Sequence, residues 1–132
     1  MIIQFLKLQT HGDARCSLIA LEEGKNIPFS VKRVYYMFDT GKGVRRGFHA
    51  HKTLKQVAVA VRGSCRFMLD DGREKIDILL DHPCQGLLIE SFIWREMYDF
   101  SEDCVLMVLA DQLYTETDYV RDYDTFLTAA VQ

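Results

Sequence analysis

The chain has 132 residues, of which 48% are hydrophobic, and a formal charge of −3. Because domains of about 100–150 residues are the commonest, the length predicts one domain over residues 1–132. The negative balance and the scattered arginines argue against nucleic-acid binding, which usually needs a basic surface. No segment approaches the ~18 apolar residues of a membrane-spanning helix, and no signal-peptide pattern opens the chain. We expect a cytoplasmic domain that binds a small anion, and neither nucleic acid nor a membrane.

Most of the chain is a series of short runs rich in aliphatic and aromatic residues, separated by turn residues. The sequence Asp70-Asp71-Gly72 is a strong hairpin signal, because glycine adopts the positive φ that tight turns require. The predicted strands cover residues 31–38, 56–61, 64–69, 76–80, 86–89 and 104–110. Many short strands at regular spacing predict an all-β sandwich or barrel.

At the end of the chain the spacing of the apolar residues changes. Between Thr117 and Val131 they recur at three- and four-residue steps, as Tyr119, Val120, Tyr123, Phe126, Leu127 and Ala130. This spacing predicts an amphipathic helix that packs on the sheet. Thr115 or Thr117 is the predicted N-cap.

The four cysteines form no C-x-x-C pair. A core of this size does not need disulfide bonds for stability. Cys65 and Cys104 lie within apolar runs, and we expect them to be small buried hydrophobic residues.

The pair His49 and His51 follows a glycine-rich approach, Gly43 to Gly47. Residues two apart on a strand point to the same face, so the two imidazoles are expected to project together. Such a pair indicates either metal ligation or acid–base catalysis near neutral pH.

The region around these histidines resembles the first motif of the cupin superfamily. The motif G-x5-H-x-H-x3,4-E-x6-G fits Gly43, His49, His51, Gln56 and Gly63, with Gln56 in place of the metal-binding glutamate. No histidine follows His82, and the region of the second motif contains Arg95 instead. A catalytic metal usually needs three protein ligands, so the resemblance implies a cupin that binds no metal.

Longer stretches resemble the sugar 3,4-ketoisomerases that act on dTDP-4-oxo-6-deoxyglucose. The matching segments are residues 17–23, 26–29, 32–36, 46–52, 63–65, 69–72, 94–97 and 119–124. The resemblance implies a jelly-roll cupin barrel of short antiparallel strands with a C-terminal helix. It also implies a homodimer that needs no metal or organic cofactor. The product of such enzymes feeds an aminotransferase that makes 3-amino-3,6-dideoxyhexoses for surface polysaccharides such as the lipopolysaccharide O-antigen.

The chemistry of this reaction predicts roles for the histidines. Moving a carbonyl from C4 to C3 requires removal of the C3 proton, passage through an enediol and protonation at C4. A base of near-neutral pKa and a donor for the developing oxyanion are needed. We predict that one of His49 and His51 is the base and that the other is its partner.

Arginines are the predicted contacts for the substrate, because a planar guanidinium binds phosphate oxygens in pairs. Arg33 and Tyr35 lie two apart on a strand, and Arg46 precedes the histidine strand. By resemblance, the residues at positions 15 and 95 vary with the C4 epimer that is formed. Arg15 and Arg95 give a mixed pattern, and the absence of a histidine donor at position 95 favours the gluco product.

Three alternatives remain open from the sequence. A dTDP-keto-sugar epimerase would share the fold and the first proton abstraction, but its His–Asp pair and opposed tyrosine are not evident. A non-catalytic cupin that binds sugar nucleotides would turn nothing over. A metal-dependent cupin oxygenase is disfavoured by the missing ligands.

Overall fold

The computed structural model describes residues 1–130 as two five-stranded antiparallel sheets and a separate hairpin. The strands are β1 (Gln4–Lys7), β2 (Thr10–Gly12), β3 (Ser17–Ile19), β4 (Arg33–Met37), β5 (Arg46–His51), β6 (Gln56–Arg62), β7 (Cys65–Asp70), β8 (Lys75–Leu80), β9 (Gln85–Ile89), β10 (Trp94–Tyr98), β11 (Val105–Ala110) and β12 (Tyr119–Val120), and the α-helix is α1 (Tyr123–Ala130). The sheet orders are β1-β9-β6-β11-β4 and β12-β5-β10-β7-β8, and β2 pairs with β3. This architecture confirms the predicted all-β jelly-roll fold.

The main core contains alternate residues of strands from both large sheets. β6 contributes Ala58 and Ala60, and β7 contributes Phe67 and Leu69. Side chains on one face of a strand pack together because successive residues point in opposite directions. The four cysteines are free thiols, and Cys65 and Cys104 are buried in this core, as predicted.

The six strands predicted from the sequence are present, and their ends differ from the predicted ends by at most two residues. The sequence did not predict β10, although it lies at the centre of the second sheet. Its pattern is unusual because Arg95, a charged residue, is buried between Trp94 and Glu96. A charge in a core position hides the apolar alternation that identifies a strand.

The C-terminal helix is shorter than predicted. It begins at Tyr123, because Asp122 accepts hydrogen bonds from the backbone N–H (2.9 Å) and the hydroxyl (2.7 Å) of Thr125. Asp122 is therefore the N-cap, and the prediction of Thr115 or Thr117 is wrong. Residues 119 and 120 instead pair with β5 as a short strand. Val131, the predicted last residue of the helix, lies outside the described residues.

Within residues 1–130, the helical segments lack the length and the apolar character needed to cross a membrane.

Candidate active site

A cavity of about 340 Å³ opens between the two large sheets. This size falls within the ~300–1,000 Å³ that is usual for small-molecule sites. Four residues predicted from the sequence lie in its wall: Arg33, Tyr35, Arg46 and His49. The remaining wall consists of Met37, Gly47, Met97, Tyr119 and Arg121.

A β-bulge in β5 shapes one wall of the cavity. Phe48 has no partner in the register between β5 and β10, and it adopts a φ of 58° next to Gly47 at 96°. A Cβ atom on Gly47 would lie 2.7 Å from the carbonyl oxygen of Arg95, so only glycine fits there. The extra residue shifts the alternation by one. Arg46 and His49, which would otherwise point to opposite faces, line the same cavity.

The two histidines are adjacent, as predicted, but they are not equivalent. Their ring centroids lie 4.9 Å apart with nearly perpendicular planes. His49 lines the cavity, whereas the side chain of His51 is fully buried. The ring of Tyr119, also in the cavity wall, lies 4.9 Å from His49 and 4.4 Å from His51. His51 is therefore placed behind His49 and Tyr119.

Both histidines use Nδ1 for a hydrogen bond to an acceptor. Nδ1 of His49 lies 3.1 Å from the carbonyl oxygen of Gly47, and Nδ1 of His51 lies 3.0 Å from the carboxylate of Asp118. In a neutral imidazole, the nitrogen facing such an acceptor carries the proton and the other nitrogen keeps a lone pair. Nε2 of His51 is buried and has no hydrogen-bond partner among the described residues. Both rings thus hold a free basic Nε2.

The electrostatic surroundings keep both imidazoles neutral. Burial, and then the positive charge of Arg95, lower the pKa of His49 from 6.5 to about 4. Burial and Arg95 also lower the pKa of His51, and they outweigh the opposite effect of Asp118. At neutral pH each ring is therefore unprotonated and has a lone pair for a proton, but a pKa of about 4 makes His49 a weaker base than the near-neutral base expected from the sequence.

Arg95 lies beneath the cavity and does not line it. Its side chain is 2% exposed, and it donates hydrogen bonds to the side-chain oxygen of Gln56 and to the carbonyl oxygen of Ile93. Burial lowers its pKa to about 10, so it remains a cation at neutral pH. Its partners are uncharged, and burying a cation without a carboxylate partner is unfavourable. Its positive charge lowers the pKa of the neighbouring His49 and His51.

Gln56, at the position of the glutamate in the metal-binding motif, connects Arg95 to the cavity. Its amide nitrogen donates to the hydroxyl of Tyr35 at 3.2 Å, while its amide oxygen accepts from Arg95. Burial raises the pKa of Tyr35, whose hydroxyl stays protonated. Within residues 1–130, no three or more His, Cys, Asp or Glu side chains are grouped to hold a metal ion. At the position of the motif's glutamate, the neutral amide of Gln56 thus pairs with a guanidinium.

Three guanidinium groups line the cavity, which makes it suitable for a bound anion. The guanidinium of Arg33 lies over the rings of Tyr35 and Tyr114, 5.3 and 5.5 Å from their centroids. Its buried Nε has no hydrogen-bond partner among the described residues. Arg46 lies in the same cavity wall, and Arg121 lies over the ring of Tyr119, 4.2 Å from its centroid, while it pairs with Glu116 at 2.6 Å.

The chain matches the family described as "FdtA: WxcM-like, C-terminal" over residues 1–131. This chain belongs to that family. A curated relative from Aneurinibacillus thermoaerophilus, TDP-4-oxo-6-deoxy-alpha-D-glucose-3,4-oxoisomerase, is 57% identical over 125 residues. The alignment covers 95% of this chain and 88% of the relative.

Solved structures share the fold over almost the whole chain. A 3,4-ketoisomerase from Helicobacter canadensis has a TM-score of 0.96 at 46% identity, covering 100% of this chain and 99% of that one. A histidine-to-asparagine mutant of the 3,4-ketoisomerase QdtA from Thermoanaerobacterium thermosaccharolyticum was solved with TDP-4-keto-6-deoxyglucose. Its TM-score is 0.95 at 41% identity, with 97% and 93% of the two chains covered. The expected membership among sugar 3,4-ketoisomerases, which are intramolecular oxidoreductases, is confirmed.

Two of the predicted substrate-binding residues, Arg95 and Arg15, do not line the cavity of this FdtA-family chain: Arg95 is buried beneath it, and Arg15 lies away from it. Arg15 is exposed on the β2–β3 connection, where its guanidinium pairs with Asp13 at 2.6 Å. Its substrate-binding role remains a prediction, because the described chain does not bring it to the histidines.

Sequence reasoning missed Asp118, Tyr119 and Arg121. The apolar spacing predicts a helix over residues 117–131, which gives no reason to place these three residues near the histidines. A signal was present, because the segment 119–124 is among those that resemble the 3,4-ketoisomerases. The structure also shows that the sequence analysis overlooked a His–Asp pair, formed by His51 and Asp118.

Proposed function

We propose that this chain moves the keto group of dTDP-4-oxo-6-deoxyglucose from C4 to C3 and gives a dTDP-3-oxo-6-deoxyhexose. The observation that carries this proposal is a neutral imidazole, His49, in a cavity that also presents three guanidinium groups. A general base beside an anion-binding surface is what a nucleotide-linked keto sugar requires. The name of the 57% identical relative supports the same reaction.

His49 is the proposed base, because it lies in the cavity wall and has a free Nε2. In the first half of the reaction it takes the proton from C3, and the electrons of the C–H bond form the C3–C4 double bond. In the second half a proton from solvent adds to C4 as the double bond becomes the C3 carbonyl, and His49 releases the proton it took to solvent. The oxidation level of the whole sugar is unchanged.

His51 is the proposed partner that transfers the second proton. Its Nε2 takes the proton of the C3 hydroxyl and delivers it to the oxygen on C4, so protons and electrons balance without a cofactor. The charge of Arg95, which already acts on both histidines, stabilises the enediolate oxygen that forms between the two steps.

The nucleotide diphosphate is the proposed ligand of Arg33 and Arg46. Both line the cavity, and a guanidinium matches phosphate oxygens through paired N–H donors. The rings of Tyr35 and Tyr114, which lie next to Arg33, restrict its movement. Less side-chain entropy is therefore lost when Arg33 binds the diphosphate.

We also propose the gluco epimer as product. A histidine at position 95 would be a proton donor, whereas the buried Arg95 keeps its proton at neutral pH. In the gluco epimer the C3 and C4 hydrogens lie on opposite faces of the ring, so the proton at C4 comes from solvent in the cavity, on the face opposite to His49.

A homodimer in the cytoplasm is proposed for the functional protein. The outer face of the edge strand β4 carries Val34 and Tyr36, followed by Phe38, and these side chains are 53%, 62% and 59% exposed. Such an apolar patch is typical of an interface. The four free cysteines suit a reducing compartment. Light scattering on the purified protein measures the oligomeric state, and a monomer at micromolar concentration contradicts the dimer.

An epimerase is the second candidate, because the His51–Asp118 pair at 3.0 Å beside Tyr119 has the residue types that such enzymes use. An epimerase would return the proton to the opposite face of the same carbon and leave the ketone at C4.

Proton NMR of dTDP-4-oxo-6-deoxyglucose with the protein in D2O distinguishes these functions. The proposal predicts a 3-keto sugar with deuterium at C4, and a large H4–H5 coupling in H2O identifies the gluco product. Exchange at C3 or C5 with the ketone still at C4 supports the epimerase. An unchanged sugar, with dTDP still bound, indicates a binding protein without activity.

A further inference from the structure

Backbone pairing holds Asp118 against β5, the strand that carries His49 and His51. Asp118 ends the 3₁₀ turn Glu116–Asp118, directly before β12. Its carbonyl oxygen accepts the N–H of Lys52 at 2.8 Å, and the next residue, Tyr119, pairs with His51 in the register of β12 and β5. The position of its carboxylate is therefore fixed relative to β5.

The carboxylate has a different partner on each oxygen. Oδ1 accepts hydrogen bonds from the backbone N–H and the hydroxyl of Thr53, both at 2.9 Å. Oδ2 lies 3.0 Å from Nδ1 of His51 and also accepts the backbone N–H of Leu54 at 3.4 Å. Burial raises the pKa of Asp118, but the bonds from Thr53 and His51 outweigh it and lower the pKa, so the group is an anion. An ionised carboxylate only accepts hydrogen bonds, which requires His51 to donate through Nδ1.

We propose that Asp118 is a positioning residue for the reaction, which holds His51 as the Nδ1–H tautomer and stabilises the imidazolium that forms when Nε2 takes a proton. This inference rests on the proposed function, in which His51 transfers the second proton. This role explains why the buried Nε2 of His51 has no hydrogen-bond partner in the described part of the chain. Its lone pair is kept free for a proton from the substrate. Asp118 itself does not line the cavity.

The variant Asp118→Asn tests this role. Two donors of Thr53 face Oδ1, so the asparagine places its carbonyl oxygen there and turns its NH2 group towards His51. Nδ1 then has to accept, and the proton moves to Nε2. A base held in the wrong tautomer loses its function, and we expect kcat to fall by ~10²–10⁴ while KM changes by less than about threefold.

The matched control is Asp111→Asn. Asp111 also accepts a backbone N–H, that of Lys55, at 2.9 Å, and holds the other end of the same loop without contacting a histidine. We expect this variant to keep kcat. If both variants lose kcat and thermal stability to the same extent, Asp118 has only a structural role and the inference is overturned.

Nitrogen-15 NMR of the histidine rings gives a readout that is independent of activity. In the wild-type protein at pH 7, His51 is expected to show a protonated Nδ1 and an unprotonated Nε2, with the two reversed in Asp118→Asn. A wild-type His51 protonated at Nε2 overturns the inference even if the variant fails to fold. If the tautomers are as expected but His51→Asn keeps its activity, Asp118 does orient His51 and the proposed proton transfer by His51 is wrong.

Discussion

Two regions of the molecule bury polar side chains in opposite ways. At the end of β7, Asp70 accepts hydrogen bonds from the hydroxyl of Tyr123 and from the N–H of Gly72 at 2.8 Å, so both oxygens have partners. Beneath the cavity, within residues 1–130, Nε2 of His51 has no hydrogen-bond partner and Arg95 makes no hydrogen bond to a carboxylate. The first region joins a hairpin to the C-terminal helix, and the second lies beside the cavity.

The difference separates stability from function. A buried polar group whose hydrogen bonds are all made adds to stability, whereas one with unused capacity lowers it. A folded protein retains the second kind where a ligand or a reacting group uses that capacity. Changes near Asp70 should therefore affect folding, and changes near the cavity should affect turnover.

The largest expected effect is that of His49→Asn. Asparagine cannot accept a proton at neutral pH, so turnover of the keto sugar should fall by ~10²–10⁴ with little change in melting temperature. His82→Asn, at an exposed histidine on a loop, is the control that should keep full activity. Near-normal turnover in His49→Asn would mean that the base has been misassigned.

The next effect is that of Arg95→Met, which removes the buried cation. Loss of the charge that faces the enediolate should lower kcat by ~10²–10³. In the wild type, kcat/KM should stay constant down to pH 5 and fall as the pH approaches about 4, where His49 takes a proton. Because Arg95 lowers that pKa, its removal should move the acidic limb to higher pH. A limb that does not move shows that the charge does not act on His49.

A smaller effect is expected for Arg33→Ala, which removes a guanidinium from the cavity wall. The Nε of Arg33 has no hydrogen-bond partner among residues 1–130. Removing a charged donor should weaken dTDP binding by ~10–100-fold, corresponding to the ~1.5–3 kcal/mol of a charged hydrogen bond. Calorimetry measures the dissociation constant. Arg66→Ala, which removes an arginine already paired with Asp99 at 3.3 Å, is the control. An unchanged dissociation constant in Arg33→Ala excludes it from the diphosphate site.

The smallest effect on activity is expected for Asp70→Ala, in the region at the end of β7. The hydroxyl of Tyr123 and the N–H of Gly72 lose their acceptor, which should cost ~1–3 kcal/mol of unfolding free energy. Urea denaturation measures this loss, and kcat at 25 °C should remain close to that of the wild type. Asp70→Asn keeps one acceptor oxygen and should lose less stability. A fall in kcat comparable to that of Arg95→Met would show that the two regions are coupled.

The alternation of strand residues explains why part of the site was predictable. Arg33 and Tyr35 are two apart on β4 and line one cavity, and His49 and His51 lie together on β5. Arg46 was predicted from its place in the sequence, but the bulge at Phe48 that turns it to the side of His49 depends on pairing with β10.

Asp118 was beyond prediction because its contact is tertiary. It lies 67 residues from His51 in the sequence, in a segment whose apolar spacing also fits a helix. The short strand that brings it to β5 has two residues, too few to show a period of its own. The unpaired Nε2 of His51 and the uncharged partners of the buried Arg95 are likewise invisible until the fold is known.

The most direct test of the central claim uses dTDP-4-oxo-6-deoxyglucose deuterated at C3, followed by proton NMR in H2O with the wild type and His49→Asn. If His49 removes the C3 deuteron, the wild type forms the 3-keto sugar more slowly than from the unlabelled substrate. In that case His49→Asn neither exchanges the C3 deuteron nor moves the ketone at an appreciable rate. Loss of the C3 deuteron at the wild-type rate in His49→Asn would contradict the assignment of the cavity as the place where His49 acts as the base.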